Sequence, residues 1–476
     1  FIMNQKSPQL LKTHLLIAIC MAVLSCVPPK SLFYLDGDPS LISKINKIIE
    51  SSGIDVNMGI KIQSINNNDI LYSYNSQKLL MPASNNKLYT CAAALYYLGS
   101  NHIFTTSVGR KKNNLILIGG GDPDLSIKNL DSLARIVSEK SNNIDTLFLD
   151  DTIMDSLRFG EGWMWDEGPW WHFAPIGALS VNDNCIDFYV KPNRLGEAAK
   201  VSYYPQTNYI NVINNSNTVD DTLDFKKFKI NRNWIAGNNN FTITGEIIDT
   251  ASTDTLYRNI HDPTLFVGTI FKELLENYGV RVKYLSKKTN HVKGYDTIAI
   301  HQSNELIHSA KNLMNKSDNL TAELLIKTIG KLDTTMGNWK IGLDSVKSFL
   351  ANEIQIDTTK MRLADGSGVS RYNLTNADQI ILLLNWIYKS KLKQAFLSTL
   401  SDGSASKSTL RKRFEKEGEM VKLKTGHLSG TSNLSGYIFN KKRGPVAISI
   451  IMNGYNEPHT KYRHVQNQIV KTIAYD

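Results

Sequence analysis

Cysteine is scarce in this chain, and its scarcity excludes a fold held together by a disulfide framework. Only four cysteines occur among the 476 residues, and Cys20 and Cys26 lie in or beside an apolar N-terminal segment. Cys91 and Cys185 could pair in an oxidising compartment, but two cysteines make no framework. Because Cys91 stands at helical spacing from two leucines, we expect it to be a buried free thiol.

No pattern indicates a metal or a nucleotide site. The ten histidines are scattered, and no His/Cys pair has the spacing of metal ligands. The glycine run 119–121 lacks the Lys-Ser/Thr of a phosphate loop, so we expect a turn there. The sequence therefore predicts neither a metal nor another cofactor.

A concentrated basic region is also lacking, although the chain is basic overall. Lys and Arg number 54 against 44 Asp and Glu, which gives a formal net charge of +10. No Arg-rich run stands out, so we expect a solvated basic surface and no nucleic-acid binding. Such a surface also suits an anionic polymer of a cell envelope.

The apolar run Leu15–Leu24 is shorter than a membrane-spanning helix requires. Lys6 and Lys12 precede it, so residues 1–26 have the pattern of a secretory signal. Residues 23–26 resemble a bacterial lipobox, in which Cys26 would be acylated as a membrane anchor. The alternative is a soluble exported protein that is cut nearby. Either form places the mature chain in the bacterial cell envelope or periplasm.

Length and patterning predict an α/β (α+β) fold that is interrupted by an insertion. The chain is too long for one ordinary domain. Residues 27–102 and 296–476 carry helical periodicity and closely spaced apolar strands. Residues 103–295 show short runs separated by Gly, Asn and Asp clusters, which predicts a mostly β insert. We expect one domain, an antiparallel sheet flanked by helices, to be built from both ends of the chain.

The expected elements can be placed along the chain. Helices are predicted at 41–50, from 84 to Gly99, and at 265–275, 306–314, 320–329, 338–351, 376–389 and 462–473. Strands are predicted at 58–62, 70–74, 115–118, 146–149, 185–190, 209–213, 241–247, 420–425, 432–439 and 446–452. Thr375 and Asp378 predict the N-terminal cap of the helix at 376–389.

Ser84 and Lys87 form the first of three short motifs, at the start of a predicted helix. Residues three apart lie on one helical face, about 5–6 Å apart at Cβ. A lysine with a lowered pKa could therefore take the serine proton, and the helix N-terminus would stabilise an oxyanion. Alone the motif is weak, because an N-cap serine followed by a solvated lysine explains it equally.

Ser317-Asp318-Asn319 is the second motif and lies in the break between two predicted helices. Its structural interpretation is a polar turn and a helix cap, which is the usual role of these residue types. Its functional interpretation makes Ser317 a proton relay and Asn319 a contact to a substrate amide.

Lys424-Thr425-Gly426 is the third motif and ends a strand pattern. The structural interpretation is an edge-strand lysine beside a turn. The functional interpretation places a cation and a hydroxyl where a substrate carboxylate would sit. Gly426 would then let the substrate backbone lie close to the strand.

The three motifs together are specific, since their order is the signature of penicillin-binding proteins and class A β-lactamases. From about residue 40 to its C-terminus the chain resembles the D-alanyl-D-alanine carboxypeptidase/endopeptidase family of the penicillin-binding protein 4 type. The long gap between Ser84 and Ser317 matches the domains that this family inserts there. The other supporting strings are Pro82-Ala83-Ser84, Gly119–Pro123, Ala178–Asn184, Asp365–Gly368 and Asn433–Tyr437.

This resemblance implies a β-lactamase/transpeptidase-like domain that hydrolyses peptidoglycan stem peptides ending in D-Ala-D-Ala. The reaction would pass through an acyl-enzyme on Ser84, with Lys87 as the base and β-lactams such as penicillin as inhibitors. Removal of the terminal residue and cleavage of crosslinks both use this acylation, so carboxypeptidase and endopeptidase activity stay open.

The resemblance also implies roles for the other motif residues. Ser317 would relay the proton to the leaving group, while Lys424 and Thr425 hold the terminal carboxylate. The backbone N–H groups of Ser84 and His427 would form the oxyanion hole. The imidazole of His427 could be a base, but a purely backbone role is the expectation, although the family commonly has Thr or Ser there.

Two other functions are alternatives. A serine β-lactamase would form the same acyl-enzyme, but no Glu-x-x-Leu-Asn string between Ser317 and Lys424 supplies its deacylating base. A non-catalytic peptidoglycan-binding lipoprotein would have no need of an activated nucleophile. The aromatic run 163–171 is unusual for the family; we expect it to pack in the interior, with glycan contact as the alternative.

Overall fold

A computed structural model describes residues 35–220, 226–288, 290 and 294–476. The predicted signal, with Cys20 and Cys26, lies outside these residues. The described strands are β1 (Leu35–Gly37), β2 (Asn57–Ser64), β3 (Ile70–Tyr74), β4 (Thr105–Lys111), β5 (Asn114–Ile118), β6 (Asn143–Asp150), β7 (Cys185–Lys191), β8 (Lys200–Tyr204), β9 (Asn211–Val219), β10 (Lys229–Arg232), β11 (Asn240–Ile248), β12 (Asp254–Asn259), β13 (Arg281–Lys287), β14 (Asp296–Gln302), β15 (Ser401–Asp402), β16 (Val421–Leu428), β17 (Thr431–Asn440) and β18 (Gly444–Asn453).

The described helices follow the same numbering. They are α1 (Pro39–Ser52), α2 (Lys87–Tyr97), α3 (Ile127–Ser138), α4 (Pro263–Asn277), α5 (Leu306–Asn315), α6 (Asn319–Lys331), α7 (Trp339–Asn352), α8 (Ala377–Lys389), α9 (Lys393–Thr399) and α10 (His459–Tyr475). Within the described part of the chain, no helix has the length and apolar character needed to cross a membrane.

The main sheet joins the two ends of the chain. It has seven strands in the order β1-β3-β2-β18-β17-β16-β15, and every neighbouring pair is antiparallel. β2 pairs directly with β18, for example through Ile60 and Ile450. One face packs against α1 and α10, and the other packs against α2 and the helices α5 to α9. This arrangement confirms the predicted α/β domain with an antiparallel sheet flanked by helices.

Helix α2 lies in the buried middle of the helical layer. Leu88, Cys91 and Leu95, the face predicted from helical spacing, are all buried there. Cys91 and Cys185 are both free and buried, as expected for a chain without a disulfide framework. Burial raises the pKa of the Cys91 thiol to about 12, so this sulfur stays protonated and unreactive.

The inserted part of the chain has its own hydrophobic core, built from residues between Val108 and Ala299. It contains a five-stranded mixed sheet, β13-β6-β5-β4-β14, and two three-stranded sheets, β10-β11-β9 and β12-β7-β8. The predicted β-rich character is confirmed. However, the sequence analysis missed α3, whose Leu130, Leu133 and Val137 form a buried stripe at helical spacing.

The cap of α8 lies one residue from its predicted position. Asn376 is the N-cap: its side chain accepts a hydrogen bond from the backbone N–H of Gln379 at 2.8 Å. Thr375 instead shares a 2.7 Å hydrogen bond with the Tyr89 hydroxyl. Asn and Thr are both good caps, so this tertiary contact decides between them.

Candidate active site

Ser84 lies in a tight 3₁₀ turn, Ala83–Asn86, that leads directly into α2. Its side chain is half-buried, and it makes no capping hydrogen bond. The turn is held closely from two sides. A Cβ on Gly426 of β16 would lie 2.8 Å from the Pro82 carbonyl oxygen, and one on Gly368 would lie 1.9 Å from the Ala83 oxygen. Gly426 is therefore needed for β16 to pack against the turn that carries Ser84.

Lys87 lies one helical turn further on and is fully buried, with 0% of its surface exposed. Its Nζ lies 3.2 Å from Ser84 Oγ, 2.6 Å from Asn319 Oδ1 and 2.7 Å from the Ser367 carbonyl oxygen. A neutral amine can donate to the last two acceptors and turn its lone pair toward the Ser84 hydroxyl. The solvated lysine of the structural interpretation is therefore wrong.

The protonation of Lys87 is shifted by its surroundings. Burial lowers the pKa of its ammonium group to about 8, although the nearby carboxylates of Glu323, Asp365 and Asp318 act in the opposite direction. A group with this pKa is neutral in about one molecule in ten at pH 7. The site thus contains a usable base beside a serine hydroxyl.

The turn between α5 and α6 combines both interpretations of the second motif. Asp318 caps α6, since its carboxylate accepts hydrogen bonds from the backbone N–H groups of Leu320 at 3.1 Å and Thr321 at 3.0 Å. Ser317 adopts a left-handed backbone with φ of 64°, an uncommon conformation for a residue with a side chain. This turn brings the hydroxyl of Ser317 to Lys424 Nζ, 2.9 Å away.

Asn319, the first residue of α6, connects the base to a loop of the insert. Its Oδ1 accepts from Lys87 Nζ at 2.6 Å, and its Nδ2 donates to the His172 carbonyl oxygen at 2.8 Å. One amide hydrogen of Nδ2 is left for another acceptor. The second motif therefore touches both of the other motifs, through Asn319 and Ser317.

Lys424 lies on β16, next to the short edge strand of the main sheet. β15 pairs only with Lys422 and Leu423, so in the described sheet the backbone of β16 beyond Leu423 faces the site unpaired on that side. The backbone of Lys424 therefore lies at an edge, as the structural interpretation of the third motif predicts. Its side chain, however, is fully buried. Burial and the neighbouring Lys87 together hold the pKa of Lys424 well below its ordinary value.

The other residues of β16 have separate partners. Thr425 Oγ1 lies 2.7 Å from the hydroxyl of Thr409. His427 is exposed, its Nδ1 lies 3.1 Å from the Thr431 carbonyl oxygen, and its ring stacks on His459 at 3.9 Å. The partner of the Ser84 hydroxyl is Lys87, so the geometry gives the imidazole of His427 no part as a base.

Glu323 is a fully buried carboxylate that the sequence analysis missed. It accepts three hydrogen bonds of 2.8 Å, from the backbone N–H groups of Gly366 and Ser367 and from Trp339 Nε1. Burial and the charge of Asp365 raise the pKa of Glu323 to about 7. These bonds fix the peptide whose Ser367 carbonyl contacts Lys87.

Asp365 fixes the remainder of the same loop. Its carboxylate accepts hydrogen bonds from Trp163 Nε1 at 2.9 Å, Gly368 N at 2.7 Å, Ser370 N at 2.6 Å and Asn373 Nδ2 at 2.7 Å. A buried carboxylate with four N–H donors holds its loop in one conformation.

No group of three or more His, Cys, Asp or Glu side chains able to hold a metal ion occurs in the residues that the structure covers. The site therefore contains two buried lysines, two hydroxyls and an amide, joined by hydrogen bonds. This arrangement can activate a serine for attack on a carbonyl and hold an anionic group beside it.

Comparisons with known proteins agree with this chemistry. The sequence profile of the D-Ala-D-Ala carboxypeptidase 3 (S13) family matches residues 41–475. A D-alanyl-D-alanine carboxypeptidase of Actinomadura sp. (strain R39) is 32% identical over 443 residues, which cover 87% of this chain and 81% of that protein.

Solved structures agree in fold. The crystal structure of penicillin binding protein 4 (dacB) from Haemophilus influenzae superposes with a TM-score of 0.79 at 23% identity, covering 91% of this chain and 99% of that one. The same protein complexed with a β-lactam gives a TM-score of 0.74 at 23% identity, covering 91% and 100%. The chain belongs to the D-Ala-D-Ala carboxypeptidase 3 (S13) family, which confirms the serine D-alanyl-D-alanine peptidase predicted from its three motifs.

Proposed function

We propose that this chain cleaves D-Ala-D-Ala peptide bonds of peptidoglycan stem peptides through an acyl-enzyme on Ser84, and that penicillin acylates the same serine. The main support for this proposal is the 3.2 Å contact between Lys87 Nζ and Ser84 Oγ, in which the lysine is fully buried. The penicillin-binding protein of H. influenzae, similar to this chain in fold, binds a β-lactam.

Acylation begins with proton transfer from the Ser84 hydroxyl to the neutral amine of Lys87. The Ser84 oxygen then attacks the carbonyl carbon of the penultimate D-alanine, and the backbone N–H groups of Ser84 and His427 stabilise the oxyanion. Ser317 passes a proton to the nitrogen of the leaving D-alanine as the peptide bond breaks. The ammonium group of Lys424, 2.9 Å from Ser317 Oγ, returns a proton to Ser317. Water then attacks the ester carbonyl and gives one proton to Lys424 through Ser317, while Lys87 returns its proton to the Ser84 oxygen as the ester bond breaks.

Substrate binding uses the strand edge. The terminal carboxylate of the substrate lies against Lys424 and Thr425, and Thr409 orients the Thr425 hydroxyl through their 2.7 Å hydrogen bond. The substrate backbone adds to the open side of β16. The remaining amide hydrogen of Asn319 donates to a substrate carbonyl.

The fate of the acyl-enzyme separates this function from that of a β-lactamase. In class A β-lactamases, a glutamate that activates water hydrolyses the penicilloyl ester rapidly. Glu323 is buried next to Lys87, but three N–H donors already occupy its two oxygens. We therefore expect the penicillin adduct to hydrolyse slowly.

The direct test is release of D-alanine from a synthetic stem pentapeptide ending in D-Ala-D-Ala. We expect release from this peptide, none from the matched peptide ending in L-Ala-L-Ala, and loss of release after preincubation with benzylpenicillin. If the folded protein neither releases D-alanine nor forms a penicillin adduct, the non-catalytic peptidoglycan binder becomes the better description.

The pH dependence of acylation should report the pKa of Lys87. We expect the rate of penicillin acylation to rise with pH, to reach half its maximum near pH 8 and to level off by about pH 9, because burial lowers the pKa of Lys87 to about 8 and only the neutral amine accepts a proton. An ordinary lysine would give a rate that still rises at pH 9.

The variant Asp318→Asn tests the assignment of Lys87 as the base through the direction in which its pKa should move. Asparagine keeps the cap of α6 but removes a negative charge that raises the pKa of Lys87. The plateau should therefore begin at a lower pH in this variant, whereas Asp344→Asn on the exposed surface of α7 should leave it unchanged. A shift of the plateau to higher pH would contradict Lys87 as the base.

Export to the cell envelope, with Cys26 as a lipid anchor, is also a proposal. It is supported by the basic and apolar pattern of residues 1–26 and by the location of peptidoglycan. Intact mass of the mature protein distinguishes a chain that begins at acylated Cys26 from one cut elsewhere.

We propose further that residues 103–295 form a separate inserted domain or domains, supported by the separate core between Val108 and Ala299.

A further inference from the structure

The aromatic run at residues 163–171 divides into packed and exposed tryptophans. Trp163 packs against Phe173, with ring centroids 5.0 Å apart, and its indole N–H is bonded to Asp365. This residue fits the expected packing role. Trp165 and Trp171 do not, because 71% and 41% of their surfaces are exposed to solvent.

The loop that carries these exposed rings is fixed to the catalytic machinery at two points. The His172 carbonyl accepts from Asn319, which in turn contacts Lys87. Trp163 donates to Asp365, the anchor of the loop beside Lys87. Trp171 directly precedes the first of these anchors, and Trp165 follows the second by two residues. Both exposed rings therefore lie on the rim of the active site.

Several charges around these rings are paired, but Asp166, next to Trp165, is an exposed carboxylate. On the same loop, Glu167 lies 3.3 Å from His172 Nε2 and Glu161 lies 2.8 Å from Arg362, so each carboxylate already has a partner. The Arg362 guanidinium also covers one face of Tyr372, which is itself partly exposed. The Asp166 carboxylate disfavours an anionic ligand here, whereas a neutral ligand with an apolar face and a hydroxyl edge fits.

Exposed apolar side chains grouped beside a cleft mark a binding surface. We propose that Trp165 and Trp171 bind the sugar residues of the glycan strand to which the stem peptide is attached. Each indole offers a flat apolar face on which the C–H groups of a pyranose ring can pack. The sugar hydroxyls can then form hydrogen bonds with water or with polar side chains around the indole. The inference rests on the proposed function, since the stem peptide in the cleft brings the glycan to this rim.

The reach of the substrate agrees with this placement. Four extended residues span on the order of 13 Å, the separation between a scissile bond and the sugar at the other end of its stem peptide. From Lys87 to Trp171 the path crosses two hydrogen bonds, the amide of Asn319 and one residue of chain. That path is on the order of 10–15 Å long, which sets an upper limit on the separation of Lys87 and Trp171 and keeps Trp171 within reach of the sugar.

The test compares one stem peptide in two forms, free and linked to an N-acetylglucosaminyl-N-acetylmuramyl disaccharide. For Trp165→Ala and Trp171→Ala we expect kcat/KM to fall about three- to tenfold on the linked form, the size of a lost ring contact, and to stay within twofold on the free form. Trp171→Phe should recover part of the loss. Tyr284→Ala, which removes an aromatic ring 57% exposed on the distant strand β13, is the matched control.

Equal losses on both substrates would overturn the proposal, because the tryptophans would then shape the peptide site. Unchanged kinetics on both would overturn it as well. Binding of the disaccharide peptide to Ser84→Ala, followed by tryptophan fluorescence, needs no turnover and separates the two ideas. If binding weakens with Trp171→Ala in this background while the wild type fails to cleave free peptide, the sugar platform stands and the proposed function does not.

Discussion

Ser84→Ala is expected to gain no mass when it is incubated with benzylpenicillin, whereas the wild-type protein should gain the mass of one penicillin. The serine oxygen forms the ester, and alanine has no nucleophile to replace it. Release of D-alanine from the stem pentapeptide should fall to background in the same variant. Intact-mass spectrometry measures the adduct directly, and the small, partly exposed change at residue 84 is not expected to disturb folding.

Ser317→Ala is the informative companion to this variant. Its hydroxyl lies at Lys424 rather than at Lys87, so it is assigned to proton relay and not to attack. This variant should still form the adduct on Ser84, at a rate lower by about 10²-fold. An adduct that persists in Ser84→Ala, or one that disappears only in Ser317→Ala, would show that the nucleophile has been assigned to the wrong serine.

Short-range patterns identified most of the main domain from sequence. The spacing of apolar residues predicted α2, α6 and α8, and three closely spaced apolar runs predicted β16, β17 and β18. The motif residues could be found because each combines a distinctive residue type with a local element. Their convergence could not be computed from spacing, because Ser84, Ser317 and Lys424 meet only when β2 and β18 join the chain ends.

The missed residues share a physical cause. Glu323 on α6 looks like any solvated helical glutamate until the loop at Gly366 and Ser367 folds over it and supplies two N–H donors. The pairing of Thr409 with Thr425 was likewise not predicted, since the two residues lie 16 positions apart in the sequence. Buried polar residues are defined by tertiary partners, which a single sequence does not contain.

The tryptophan run shows the opposite difficulty. The sequence predicts packing for the whole run, because large aromatic residues are usually interior. Trp163 obeys this rule, and Trp165 breaks it, although they are two residues apart. The loop is anchored through Asp365 and Asn319, and those anchors decide which rings face solvent.

Glu323→Gln is expected to destabilise the protein by about 1–3 kcal/mol, because an amide that replaces the buried carboxyl group leaves at least one of its three N–H donors without an acceptor. The amide has one oxygen, so its NH₂ group must face at least one of the donors from Gly366, Ser367 and Trp339. Glu276→Gln, at an exposed position on α4, should change stability by less than about 0.5 kcal/mol. Denaturant unfolding of the three proteins side by side measures the difference.

The pH dependence of the stability of Glu323→Gln distinguishes the effect of the Glu323 charge from the effect of its side-chain shape. Burial and Asp365 raise the pKa of Glu323 to about 7 in the folded protein, above its ordinary value near 4.5. The folded state therefore binds more protons than the unfolded state between these values, so this group stabilises the fold most at low pH and loses that contribution as pH rises through about 7. Glu323→Gln should remove this part of the slope, giving a flatter stability profile between pH 5 and 7. Equal stability and an equal slope in the variant and the wild type would show that Glu323 does not anchor the loop beside Lys87.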